Sequence, residues 1–180
     1  MVVPEYPEVY DYYKINRVLL AGAKVNTREL NDLLNESLKV LGQKKKVNVV
    51  VVLHNKEQSF VEALKTKHLG GKINDVFIAV GLDAENKITM VDVFSWSKQD
   101  IVNVAVRDTL LDIGEYAPVK WSAAIHENID KYYVRRNIEE FAYLDEEVEA
   151  PDWVVWFLLI FGTLSPFVSA YIAHKHEIIR

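Results

Sequence analysis

The feature that most limits what this chain can fold into is an uncharged run, WVVWFLLIFGTLSPFVSAYIA, from Trp153 to Ala173. As a helix rising about 1.5 Å per residue it spans about 30 Å, the thickness of a bilayer core. A core helix of a soluble domain would show a polar face, and this run is apolar all round. The sequence therefore predicts a transmembrane helix over 153–173. Trp153, Trp156 and Tyr171 lie toward its ends, where amphipathic rings prefer the headgroup level. Pro166 is expected to kink it, with Ser165 meeting part of the freed backbone. Gly162 and Ser169 offer small surfaces to a neighbouring helix, although their spacing is not GxxxG.

The flanks differ in charge. Asp145, Glu146, Glu147, Glu149 and Asp152 precede the run, and Lys175 and Arg180 follow it. The positive-inside rule puts the basic tail, 174–180, on the cytosolic, matrix or stromal side and the preceding domain on the other. A single-pass protein of an organellar membrane is expected, the mitochondrial inner membrane being favoured. His174 and His176 read as interfacial polar residues. The start, with Glu5, Glu8 and Asp11, lacks the basic and apolar regions of a secretory signal. Insertion by the tail, or prior removal of a leader, would each account for that.

The remaining length suits one domain with its own core. A net charge of −5 speaks against a general nucleic-acid partner. The chain has no cysteine, which removes disulfides, thiolate nucleophiles and cysteine-held metals. Residues 1–16 form a Tyr- and Pro-rich arm whose two prolines disfavour a helix. Its tyrosines exceed what an idle tail carries. Own-domain packing is the plainer account of the arm, and Tyr6, Tyr10, Tyr12 and Tyr13 are its candidate partner-binding residues.

Between 17 and 143 the pattern alternates helix and strand. Asn26-Thr27-Arg28-Glu29 resembles a capping box, Leu30, Leu33, Leu34, Leu38 and Leu41 make a helical stripe, and Gly42 is expected to stop it. Lys44-Lys45-Lys46 reads as a solvated turn. Val47–Leu53 and Asp75–Leu82 read as strands covered on both faces. Glu57–Leu69 is a second helix, ended by Gly70-Gly71. Asp83–Lys87 is a hairpin turn, and Ile88–Phe94 returns with Asp92 facing solvent or a partner. Gln99–Ile113 is a third helix, its apolar positions Ile101, Val104, Ala105 and Leu111. Ala117 to about Tyr143 is mostly helical, with Pro118 in its first turn, and 144–152 is an acidic linker. The fold class is α/β, an α/β/α sandwich around a small mixed sheet.

Catalytic motifs are few. No P-loop, dinucleotide fingerprint, GxSxG or HExxH occurs, and no cofactor is expected. Asp83, Glu85 and Asn86 are candidate metal ligands of the oxygen-donor kind, although acids in turns serve the backbone as often. His54 closes the first buried strand, a position where α/β sites lie, and a structural role is the simpler account. His68 and His126 show no pairing legible in sequence.

The order of elements is similar to the TPM domain. The steps that carry the resemblance are VNVVVVLH, then Gly71-Lys72-Ile73-Asn74-Asp75 leading into a hairpin, then Gly114-Glu115-Tyr116 at a helix junction, over about residues 15–135. The resemblance implies an α/β/α sandwich, commonly followed by a transmembrane helix. It also implies a role in assembly, repair or modulation of membrane complexes. A non-catalytic accessory subunit, partnered by other membrane subunits and the bilayer, is the leading expectation. A membrane-bound, metal-assisted acid phosphatase using Asp75 and Asp83 is the alternative, and a tail-anchored cytosolic adaptor is a third.

Overall fold

The computed structural model of the chain describes residues 2–8, 14–141 and 152–178. The chain divides into two units, 1–137 and 138–180. The first holds β1 (Val18–Ala21), α1 (Arg28–Lys45), β2 (Asn48–His54), α2 (Gln58–Lys67), β3 (Asp75–Leu82), β4 (Ile88–Ser95), α3 (Ile101–Ile113) and α4 (Pro118–Tyr132). The second holds a 3-10 turn (Ile138–Phe141) and α5 (Asp152–Ile178).

The sheet runs β1-β2-β3-β4. The first three strands are parallel and β4 returns antiparallel to β3. Every residue of β3 is buried, as expected of an inner strand with both faces covered. One face carries Val49, Val51, Leu53, Val76, Ile78 and Val80 against α1, α3 and α4. The other carries Val50, Val52, Phe77 and Ala79 against α2, with Val3 and Tyr6 of the arm. Each such Val, Leu, Ile or Phe contributes about 1.5–3 kcal/mol on burial. The result is an α/β/α sandwich around a small mixed sheet.

The crossovers through α1 and α2 advance in the same direction along the sheet but cover opposite faces. They therefore have opposite hands, and one of them is the uncommon left-handed kind. The sequence pattern carries no sign of this.

Several boundaries differ from expectation. Helix α1 passes through Gly42 and ends at Lys45, capped by Lys46, whose φ is 56° and whose N–H donates to the Gly42 carbonyl at 3.1 Å. A helical glycine costs about 1 kcal/mol, less than burial of Leu41 in the last turn contributes. Thr27 makes no side-chain cap bond. Instead Asn26 Oδ1 accepts from the Arg28 N–H at 3.0 Å. Helix α2 ends at Lys67, and Leu69 is exposed with φ 50°.

Helix α3 buries Val102, Val106 and Leu110, while Ile101, Val104 and Leu111 are exposed. The helix is apolar on more than one side, so its pattern did not choose the face. Helix α4 stops at Tyr132, well short of Tyr143. Tyr133 turns extended into the core, and the Ser97 hydroxyl and Lys98 N–H both donate to the Val134 carbonyl. These bonds replace the next helical turn.

In β4, Val91 and Val93 are buried, and Asp92 faces α2, where Lys65 Nζ lies 3.0 Å away. The partner of this acid is thus another element of the same domain.

Helix α5 is continuous through Pro166. Its apolar stretch, Asp152–Ile172, is long enough to cross a membrane, and none of it is buried among the described residues. Trp153, Trp156 and Tyr171 are exposed, and nothing lies within 4 Å of a Cβ placed on Gly162. The hydroxyls bonded to backbone around the proline are those of Thr163, which donates to the Leu159 and Ile160 carbonyls, and of Ser169, which donates to that of Ser165.

Candidate functional site

Asn48 and Asp75 occupy paired positions at the starts of β2 and β3. The interiors of both strands are apolar, and the polar pair sits at the amino-terminal rim of the sheet. Asp75 is fully buried. A buried carboxylate is costly unless its oxygens are met by donors, and here three donors meet them. The Tyr6 hydroxyl donates to Oδ1 at 3.0 Å and Asn48 Nδ2 to the same atom at 2.9 Å. The Lys72 N–H donates to Oδ2 at 2.9 Å.

Arg17, leading into β1, extends the network. Its side chain is buried. Nε donates to Asn35 Oδ1 and a terminal nitrogen donates to Asn48 Oδ1, both at 2.7 Å. That terminal nitrogen also donates to the Val49 carbonyl at 3.1 Å. Asn35, on α1, returns a bond from Nδ2 to the Ile15 carbonyl at 3.2 Å.

Tyr6 is the arm's contribution. Its ring packs edge-on to His68 and tilted to Phe77, both with centroids 6.3 Å away. Lys72 Nζ lies 3.9 Å from its ring centre, within cation–π range. Burial and then the Asp75 charge hold its hydroxyl well above the ordinary phenol range, so it remains a donor. Nearby, His68 Nε2 donates to the Pro4 carbonyl at 3.1 Å, and Lys67 Nζ pairs with Glu5 at 2.5 Å. Tyr6 therefore packs on its own domain. Tyr10, Tyr12 and Tyr13 lie outside the described residues.

In front of this network opens a cavity of about 490 Å³. Its lining includes Arg17, Lys39, Lys46, Lys72 and Arg135, with no Asp or Glu among the described residues. Leu38, Val47 and Ile15 supply an apolar strip, and Gln43, Asn48 and Asn74 supply amides. Lys46, placed by sequence in a solvated turn, is one of the wall residues. Tyr133 lies within the field of both Arg135 and Asp75. Its buried hydroxyl finds no hydrogen-bond partner among the described residues, and burial pushes it up to about 12.

The other end of the sheet is differently built. Asp83 Oδ1 accepts from the N–H groups of Glu85 and Lys87 at 3.0 and 2.8 Å, and Asn86 takes φ 61°. The Asn86 carbonyl accepts from the Tyr116 N–H, and the Gly114 carbonyl from the Ile88 N–H. The proposed metal ligands thus shape a turn that is stitched to the α3–α4 junction. Among the described residues no group of three or more His, Asp or Glu side chains is placed to hold a metal. Asp75 and Asp83 lie at opposite ends of β3, roughly 26 Å apart by strand rise, so they do not share one site.

His54 closes β2, fully buried, its ring centroid 5.0 Å from that of Phe60. Its Nδ1 accepts from the Lys56 N–H at 3.2 Å, and its Nε2 finds no partner among the described residues. Burial lowers its pKa below the ordinary imidazole value. His126 Nδ1 shares a 2.8 Å hydrogen bond with the Ser37 hydroxyl. Neither ring lines the cavity.

Sequence reasoning missed Arg17, Asn35, Asn48 and the cationic wall. One signal was present, since a polar residue opens each of two strands with apolar interiors.

No protein-family model and no curated protein matches the chain. Among solved structures it is similar to the N-terminal domain of the cg2496 protein from Corynebacterium glutamicum, determined by solution NMR. The two share 11% identity over 71% of this chain and 86% of that one, with a TM-score of 0.46. Likeness at that level transfers no function.

Proposed function

We propose that this protein is a single-pass membrane protein whose α/β domain acts as a non-catalytic accessory module of a larger membrane complex. The observation that carries the reading is α5, a 27-residue helix whose apolar stretch has no cover among the described residues. Such a surface needs lipid or other helices around it. Gly162 and Ser169, seven residues apart, fall on nearly one face of the helix and leave room for a neighbour. The TPM-like order of motifs supports an assembly or modulation role. Its two glycine steps are both chain reversals, with Gly71 at φ 92° and Gly114 at φ 74°. The acidic and basic flanks support an orientation with the domain opposite the tail, in an organellar membrane, with the mitochondrial inner membrane as first choice.

Purification of the full chain in mild detergent, followed by native mass measurement, tests the complex. Co-purifying subunits in fixed stoichiometry are expected, and a clean monomer would overturn the reading. Protease protection in sealed vesicles tests the orientation.

A further inference from the structure

We infer that the groove filled by the amino-terminal arm is a docking site for an extended segment of a partner subunit with Pro-acid-Tyr-Pro chemistry, and that the arm is its resident competitor. Residues 2–8 adopt neither helix nor strand, and they are held as a bound peptide would be. Each anchor is one that a separate chain could supply. His68 Nε2 donates to the Pro4 carbonyl, and Lys67 Nζ donates to the Val3 carbonyl at 2.9 Å while pairing with Glu5. The Tyr6 hydroxyl donates to Asp75 and accepts from Asn48 Nδ2 at 3.1 Å. Val3 and the Tyr6 ring pack on the apolar cluster beneath. The groove thus reads two backbone carbonyls, an acid and a tyrosine hydroxyl in a fixed order. The buried Asp75 charge sets the choice at the last position, because it demands a donor there and disfavours a second acid.

The arm is built to leave. It contributes no strand to the sheet, so its departure breaks no strand pairing. The Glu5 side chain is 87% exposed, where an ion pair contributes little. Pro4 and Pro7 fix φ in advance, which lowers the ordering cost for this segment and for any partner segment of the same kind. Connectivity is the arm's main advantage, since a short flexible tether gives an effective concentration in roughly the millimolar range. A partner segment presented at comparable local concentration inside an assembled complex takes the groove. That source rests on the accessory-module reading, which supplies the partner subunit. The chemistry of the groove rests on the seated arm alone.

The test uses the full chain in a neutral detergent and a fluorescent peptide, VVPEYPE, copied from residues 2–8. Tyr6→Ala removes the arm's own ring, and the peptide's tyrosine refills the place. Anisotropy should show saturable binding to this variant, roughly tenfold or more tighter than to the unaltered chain. A peptide with phenylalanine for its tyrosine should bind the variant about tenfold more weakly. Glu5→Lys, at an exposed position, also releases the arm by setting a like charge against Lys67, and it should bind the peptide more tightly than the unaltered chain does. It decides the matter where circular dichroism shows that Tyr6→Ala has lost its fold. No saturable binding to either variant overturns the groove. Equal affinity for the variants and the unaltered chain overturns the arm's role as competitor. Cross-linking of Glu5 in one copy to Lys67 in another overturns the partner-subunit assignment and makes the occupant a second copy of this chain. Peptide binding is read on the chain alone, so its failure and a failure to co-purify subunits are separate results.

Discussion

The two ends of β3 each carry an aspartate, and the two are used in opposite ways. Asp75 is buried and receives bonds from residues 69, 27 and 3 positions away. Asp83 is exposed, and among the described residues its carboxylate bonds only to N–H groups within its own turn. Local geometry explains Asp83 completely. Asp75 makes sense only once the arm, β2 and the α2–β3 loop have come together. An acid that looks like a ligand in sequence can be a turn former, and one that looks like a strand boundary can be the centre of a network.

The largest test of this contrast is Asp75→Ala. It strands the Tyr6 hydroxyl, Asn48 amide and Lys72 N–H, and leaving buried donors unmet costs about 1–3 kcal/mol each. Urea unfolding of the domain should register that loss, and a loss below about 1 kcal/mol would erase the distinction between the two ends.

Next comes Gly71→Ala. Gly71 has φ 92°, and an added Cβ would lie 3.0 Å from the Phe77 ring. Strain of this kind costs about 1–3 kcal/mol. Gly114→Ala, at φ 74° with nothing closer than 3.8 Å, should cost less in the same assay.

Asp83→Ala removes one acceptor of two local bonds in an exposed turn, and about 1 kcal/mol is expected. A calcium titration of the native chain followed by its melting temperature sharpens the point. A stabilisation that disappears in Asp83→Ala would restore a metal role to that turn.

The smallest effect concerns His54. Its folded pKa lies below the ordinary value of 6.5, so below that pH the unfolded chain binds the extra proton and the folded one does not. Stability therefore falls as pH drops through about 6.5 toward the lowered folded value. His54→Leu should flatten that part of the stability profile.

Much of the frame was legible from residue order alone. The nearly continuous β-branched run at 47–53 and the apolar run at 75–82 gave inner strands, because such runs suit a strand covered on both faces. The hairpin at 83–87 and the apolar run at 153–173 were equally plain. The face of α3 was not, since Ile101, Val104 and Leu111 are as apolar as the Val102, Val106 and Leu110 that β4 and α4 cover. The site was the least legible part. Arg17 meets Asn35 and Asn48 across 18 and 31 residues, and no periodicity encodes a contact between elements whose crossover hands differ.

Tyr6 gives the arm a consequence for how the domain matures. Its bond to Asp75 closes a loop of 69 residues, and such non-local contacts form late because their closure entropy is met only when most of the chain is in place. The cavity wall that includes Tyr6 is then a mark of completed folding. A ligand held there would bind the finished domain and stabilise it by mass action. Cutting away residues 2–8 would remove one side of the cavity while leaving all four strands intact.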